Sequence, residues 1–231
     1  METLNDVTRE GKERLNPSLT NPNWLILRRR RQIFQKWLAK IEDPGSRVLD
    51  VGGRIQPYRS LFRTPLEQYV AIDRRPSPLV SVVARGEEIP LAGNLFDVVI
   101  CTQVLEYVPD PGIFIGEIRR VLKPGGFLLL SAPAVFPRDS EYDLWRFSPG
   151  NLTSLLRSFR EVEIAAEGSS IAGLIRSVGV CLVMLARPTF IGELLCFTLV
   201  PLMNVVGAAV ESIFKPSNDQ FTSNFSVLAR K

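Results

Sequence analysis

A chain of 231 residues, 45% hydrophobic and 23% charged, has the size and balance of one globular domain with a real core. It contains no histidine, which excludes Ser-His-Asp and Cys-His mechanisms and removes the commonest general base and zinc ligand. The net charge of +4 is mild. The three cysteines stand far apart in apolar contexts, with neither a metal-ligand nor a disulfide pattern, as buried thiols in a reducing compartment would.

The opening "METLNDVTREGKERLNP" is polar and has no apolar signal core, so a cytoplasmic location is expected, with membrane association as an addition discussed below. Residues 1–20 read as a loose tail and residues 21–231 as one domain. Trp24 to Ile41 carries an apolar stripe (Leu25, Leu27, Ile33, Phe34, Trp37, Leu38, Ile41) among arginines and lysines, the pattern of an amphipathic helix. Its basic run reads as a solvated face or as a contact for anionic headgroups. It lacks the basic and aromatic interleaving of a single-strand binding surface, so no nucleic-acid partner is expected.

Strands and helices then alternate. "RVLDV" is a buried strand, and "QPYRSLF" a short helix entered near Pro57. "QYVAID", "LVSVVA" and "LFDVVICT" are further strands. "DPGIFIGEIRRVLKPGG" has helical spacing and a Gly125–Gly126 stop, and "FLLLSAP" is a fifth strand. "NLTSLLRSF" is a helix with Asn151 as its N-cap, "EVEIAA" a sixth strand, and "FTSNFSVLARK" ends the chain as a strand. Between them, about residues 171–214, lies a very apolar insertion of two helices divided at "RPTF". The repetition predicts an α/β fold, a doubly wound and mostly parallel sheet with helices on both sides.

Ligands of such sheets bind beyond the carboxyl ends of the strands, here Asp50–Arg54, Asp73–Arg75, Ala84–Glu88, Thr102–Tyr107 and Ser131–Pro133. Gly52 and Gly53 allow a sharp turn and close approach of a ligand to backbone, and the helix after them offers N–H groups to an anion. Asp73 can accept two hydrogen bonds from a vicinal diol such as a ribose. A plain tight turn and a helix cap are the structural alternatives for these residues; their occurrence at successive strand ends favours nucleoside recognition. The nicotinamide fingerprint fails at its second and third glycines, and there is no P-loop, so the expected cofactor is a nucleoside without a pyrophosphate.

Four segments carry a resemblance to the class I S-adenosylmethionine-dependent methyltransferases: "VLDVGG", "YVAID", "IPLAGNLFDVVICTQVLEYVPDP" and "EIRRVLKPGGFLLLSAP", in that family's order. The resemblance implies a seven-stranded Rossmann-like sheet with an antiparallel last strand, and S-adenosylmethionine as cofactor. It implies that Asp50, Gly52 and Gly53 shape the loop around the methionine half. It places Asp73, with Arg74 beside it, at the ribose, Gly86 and Glu87 beside the adenine, and Thr102 and Gln103 against the cofactor past the fourth strand.

Three departures from that pattern are visible. Arg54 stands where the family has glycine. It could fill the site, pair with the cofactor's carboxylate, or point outward while Gly53 absorbs the turn. Arg85 replaces an acid, and Tyr107 replaces the histidine of "LEH" and reads as packing.

Without histidine, the candidate bases are Asp143, Glu141, Glu106 and Tyr142. Tyr142, Asp143, Trp145 and Arg146 of "EYDLWRF" are the expected substrate-side residues; a surface loop anchored by Trp145 is the plainer alternative. No metal site is expected.

The uncharged run Leu194–Val210 reads either as part of a helical pair roofing the pocket or as a hairpin dipping into a membrane with Arg28–Arg31 on headgroups. The expected function is methyl transfer to a small-molecule or sugar-type acceptor, with a lipid-linked acceptor included. A catalytically silent scaffold is the alternative.

Overall fold

The computed structural model describes residues 2–138, 140–186, 190–214 and 218–231. Its strands are β1 (Arg47–Val51), β2 (Gln68–Asp73), β3 (Val82–Val83), β4 (Phe96–Thr102), β5 (Leu122–Pro133), β6 (Glu161–Ala166) and β7 (Asn224–Arg230). They form a seven-stranded sheet in the order β3-β2-β1-β4-β5-β7-β6. β7 runs antiparallel to both its neighbours, and the pairings from β3 through β5 are parallel. The winding reverses between β1 and β4, which opens a crevice at the carboxyl edge of the sheet.

The central strands β1, β4 and β5 are mostly apolar because both of their faces are covered and successive side chains serve opposite faces. Leu49, Val51, Val99, Cys101, Leu128 and Leu130 pack toward one core that includes Phe114 and Ile118 of α3 (Pro111–Val121) and Leu152 of α4 (Pro149–Leu155). Their alternates Val48, Val98, Ile100 and Leu129 face a second core built on Phe34, Trp37 and Leu38 of α2 (Trp24–Ile41). α5 (Ser170–Ala186) and α6 (Phe190–Phe214) form a helical pair that packs on the first turns of α2 through Leu25 and Ile26.

Several local expectations are corrected. Residues 1–20 are not a loose tail, since α1 spans Leu4–Leu15 and buries Val7, Gly11 and Leu15. Thr3 and Asp6 form a capping box at its start, a short polar signal easily passed over in a hydrophilic stretch. The segment after β1 is a single 3-10 turn, Arg59–Leu61, rather than a helix with a free amino end. The third strand shrinks to a two-residue edge strand, and α3 stops at Val121, before the glycine pair. Ser148, not Asn151, caps α4; Asn151 completes that capping box from inside the helix. Arg187, Pro188 and Thr189, at the expected division of the apolar pair, lie outside the described residues.

The basic run of α2 is not uniformly solvated. Arg30 follows Ile26 and precedes Phe34 by one helical turn, so the helix phase carries it inward, and it is 1% exposed. Its Nε donates to both carboxylate oxygens of Glu167 at 2.9 Å, and Nη2 lies 2.9 Å from Glu167 Oε2. Two serines donate to Glu167 Oε1, Ser131 of β5 at 2.6 Å and Ser226 of β7 at 2.7 Å. Burial opposes the Arg30 cation, but Glu167 and Tyr58 more than reverse this and hold the group above its ordinary value.

Removing one partner leaves the other charge buried without compensation. Glu167→Ala should therefore lose about 3–5 kcal/mol in urea unfolding. The double variant Arg30→Met/Glu167→Leu should lose clearly less; an equal or larger loss would show that the pair itself is net stabilising.

Candidate active site

The carboxyl edge begins at β1. Asp50 is 3% exposed, and Gly52 turns the chain at a φ of +79°, where a Cβ would come within 2.2 Å of a Val104 methyl group. The N–H groups of Gly52 and Gly53 both donate to the carbonyl of Ile72, at 2.9 and 3.1 Å. The glycine loop is thereby folded against the end of β2, immediately before Asp73. Asp73 Oδ1 accepts the Arg75 N–H at 2.8 Å, and the described residues give Oδ2 no hydrogen bond. Asp50, Gly52, Gly53 and Asp73 are thus brought together, with Arg74 exposed beside them.

Arg54 extends to the N-terminal segment. Its Nη1 donates to Glu2 at 2.7 Å and its Nη2 to Glu10. Gly11 permits this approach, because a Cβ there would sit 2.4 Å from the Ile55 carbonyl oxygen. Of the three arrangements open to Arg54, the side chain adopts one directed out of the loop, and it clamps α1 over that loop. Gly86 faces the Phe114 ring, and Glu87 pairs with Arg85 at 3.1 Å, so the departure at Arg85 is met by a neighbouring acid.

Thr102 ends β4. Gln103 turns away from the glycine loop: its Nε2 lies 3.3 Å from both the carbonyl and the hydroxyl of Ser131, and its Oε1 accepts from Asn224 at 3.2 Å. Gln103 therefore borders the half of the crevice nearer β5 and β7. Arg176 of α5 donates to Asn224 Oδ1 at 2.9 Å and lies 3.7 Å over the Phe136 ring. Burial, and then Arg30, lowers Arg176 to about 9.

Glu106 follows β4 in the same half. It is 3% exposed, and its Oε2 is buried with no hydrogen-bond partner. Burial pushes its carboxyl up to about 7, with Asp143 adding to the rise and Arg30 and Arg14 opposing it. The substrate-side segment closes over Glu106 through a hydrogen bond from Leu144 N–H to the Glu106 carbonyl, 2.8 Å.

Within that segment Arg146 binds both oxygens of Asp143 and the carbonyls of Phe136 and Pro137, which braces the loop. Trp145 Nε1 donates to the Val108 carbonyl at 2.8 Å, and Tyr142 is 67% exposed. Asp143 and Arg146 are engaged with each other, and among the described residues Glu106 is the carboxylate with a buried oxygen that has no hydrogen-bond partner.

Sequence reasoning missed Arg30, Glu167, Arg176 and Asn224 as parts of this edge. The phase of Arg30 on its helix was a readable signal, and so was an acid directly after the sixth strand. Among the described residues, no cluster of metal-binding side chains is present.

Residues 49–130 match the family model described as a methyltransferase domain. An uncharacterized methyltransferase of Mycobacterium sp. (strain KMS) is 35% identical over 107 residues, 41% of this chain and 42% of the relative. A similarly named protein of Mycobacterium tuberculosis is 31% identical over 109 residues, 41% of this chain and 43% of the relative. These alignments span less than half the length of the curated relatives.

Among solved structures, a SAM-dependent methyltransferase from Archaeoglobus fulgidus has a TM-score of 0.52 at 14% identity, covering 87% of this chain and 94% of that one. Phosphoethanolamine N-methyltransferase 2 of Haemonchus contortus, solved with S-adenosyl-L-methionine, has a TM-score of 0.54 at 14% identity, covering 95% of this chain and 59% of that one. The cyclase SpnF has a TM-score of 0.57 at 18% identity, covering 99% and 96%. At these identities the likeness is one of fold.

Burial, against a 2.7 Å hydrogen bond from Tyr69 and with the help of Asp73, raises Asp50 to about 7 as well. The unfolded chain ionises both carboxyls near their ordinary values, while the fold keeps them protonated. Their contribution to stability is therefore whole below about pH 4 and is lost as pH rises through about 7. Asp50→Asn and Glu106→Gln should each flatten that decline, by on the order of 3 kcal/mol at pH 8. Denaturation midpoints measured from pH 4 to 8 check this, and unchanged slopes would contradict it.

Proposed function

We propose that this chain is a class I S-adenosylmethionine-dependent methyltransferase and that it methylates a small-molecule or sugar-type acceptor, lipid-linked acceptors included; the match of residues 49–130 to the methyltransferase-domain model and the likeness of fold support this reading. The observation that carries the reading is the glycine loop bonded to the end of β2, which sets it beside the carboxylate of Asp73 at the switch point of the sheet.

These residues fit the cofactor. Asp73 offers an unbonded carboxylate oxygen to the two ribose hydroxyls. Gly52 and Gly53, whose side-chain positions are taken up by Val104 and by Asp50 and Ala71, shape the turn that the methionine half would lie against, with the Asp50 carboxyl packed beneath them. Gly86 and Glu87 would border the adenine, where Glu87 is already paired with Arg85. When bound, S-adenosylmethionine supplies a methyl group on a positively charged sulfur.

The chain's own work is to hold an acceptor in line and to take its proton. Glu106 is the group suited to the proton: buried, with one oxygen unpaired, and raised to about 7, so that it is divided between acid and base near neutrality. Arg30 and Arg14 act on Glu106 in favour of its ionised form. Asp143 and Arg146 serve as a positioning pair that keeps the loop over Glu106 closed.

A catalytically silent scaffold is the competing reading, drawn from Arg54 and Arg85. Both arginines are ion-paired within the chain, which leaves that reading less support.

Calorimetric titration with S-adenosylmethionine should give saturable binding to the wild type, none with NADH, and a loss of at least about tenfold in Asp73→Ala. A folded wild type that binds nothing would transfer the assignment to the scaffold. With an acceptor in hand, Glu106→Gln should keep cofactor affinity and lose about 100-fold or more in kcat, together with the rise in rate through about pH 7. Retention of both would remove Glu106 as the base.

A further inference from the structure

Most of the helical pair does not roof the crevice. α6 contains a 19-residue stretch, Cys196–Phe214, of mean hydropathy 1.6, of which 17% is buried. A core helix of that composition would be buried on most sides. Here one face of α6, with Val200, Asn204 and Gly207, packs inward, while Leu202, Val205, Val206 and Ile213 are 49–71% exposed. α5 repeats the pattern with Leu174 and Val178 outward. These exposed side chains form a continuous apolar stripe on α6, where isolated exposed apolar residues would need no explanation.

Two further observations identify the occupant. The first concerns depth. A helix of 19 residues is about 28 Å long, enough by length to cross a hydrocarbon core. Yet Asn204, 1% exposed in the middle of that stretch, donates to the carbonyls of Leu19 and Asn21 at 2.8 and 2.9 Å. Those bonds tie α6 to the body of the domain along its inner face, which favours lying on a bilayer over leaving the protein to span one.

The second concerns charge. Arg28 and Arg29 of α2 are exposed and line a cavity of about 530 Å³ together with Ala208 and Ser212 of α6. Arg28 stacks on Trp24, 5.0 Å from the ring centroid, and no ion pair joins either arginine to a described acid. Glu211 and Asp219 also line this cavity, and Glu211 is engaged by the Ser169 N–H at 2.8 Å. Arg30 takes no part, being inside with Glu167, and Arg31 bonds Asn16. An apolar stripe with two free guanidinium groups at its foot matches acyl chains beneath anionic headgroups.

We propose that the outward face of α5 and α6 docks on the surface of an anionic bilayer, with Arg28 and Arg29 at the headgroups and the carboxyl edge of the sheet held beside the membrane. This assignment concerns binding and is independent of methyl transfer.

The test is flotation of the full chain with vesicles of phosphatidylcholine alone and with phosphatidylglycerol added. At low salt the wild type should float with the anionic vesicles and bind the neutral ones weakly. Leu202→Glu/Val206→Glu, both exposed and so compatible with an unchanged circular dichroism spectrum, should abolish flotation. Arg28→Glu/Arg29→Glu should weaken binding to the anionic vesicles by roughly tenfold or more and leave neutral binding unchanged.

A wild type that stays in the aqueous fraction at low salt overturns the proposal. So does a soluble dimer that Leu202→Glu/Val206→Glu dissolves and that ignores vesicles, for then a second copy covers the face. Protein that resists both high salt and alkaline extraction would also overturn it, because the helix would then span.

Discussion

Arg30 and Glu167 each bring a full charge into an interior that would expel either one alone, and the elements around the crevice supply the groups that make this tolerable. α2 gives the guanidinium, the turn after β6 gives the carboxylate, and β5 and β7 give one serine hydroxyl each. Tyr58, from the segment after β1, lies 3.4 Å from Arg30 Nη1. Because a buried pair gains little net stability over an apolar equivalent, its effect is on position. Five segments distant in sequence must meet at one point for the charges to be compensated. That point lies at the carboxyl edge, where acceptor chemistry would take place, and it sets Arg30 close enough to act on Glu106 and Arg176.

The crevice divides into halves with different electrostatics. On the side of β1 and β2, charge is handled by separation: Asp50 is buried with its carboxyl raised to about 7, whereas Asp73 reaches the surface and keeps an oxygen unbonded. On the side of β5 and β7, charge is handled by pairing, with Arg30 on Glu167 and Arg146 on Asp143. Glu106 stands at the boundary and belongs to neither scheme. Its Oε2 has no hydrogen-bond partner among the described residues, which is costly for a buried polar atom. α1 crosses the same edge. Arg54 holds it down through Glu2 and Glu10, so the residue that departs most from the glycine-rich pattern ties α1 to the loop.

The sheet and its order of elements were legible because apolar runs of strand length alternated with helix-period segments, and strands covered on both faces leave that signal plainly. The glycine turn and Asp73 were legible because backbone conformation and strand ends confine them to a few residue types. The pairing network was less so. An arginine in a run of four looks solvated until the helix phase is traced against Ile26 and Phe34, and Glu167 looks like any acid after a strand. α1 escaped because its apolar face consists of three well-separated residues, Val7, Gly11 and Leu15, in an otherwise polar stretch. The N-cap of α4 was misplaced by three residues because Ser148 and Asn151 satisfy each other reciprocally, and either alone suits the role. The bracing of Asp143 by Arg146 is a contact of residues three apart in a loop, which spacing does not announce.

α2 joins these features mechanically. Its first turns, through Leu25 and Ile26, support the apolar pair; its middle, at Arg30, holds the carboxyl edge; its last turns, through Phe34, Trp37 and Leu38, cover one face of the sheet. A helix is stiff along its axis, and packed interiors pass small displacements on rather than absorbing them. Arg176 of α5 reinforces the link, since its Nε donates to Asn23 at the start of α2 while its Nη1 donates to Asn224 of β7. The outward face of α5 and α6 is thus joined to the groups around Glu106 by two contiguous routes, the α2 axis and the Arg176 side chain. An acceptor with an apolar tail would meet the crevice and the apolar face on elements joined by α2 and Arg176, which is the physical reason for including lipid-linked molecules among the proposed acceptors.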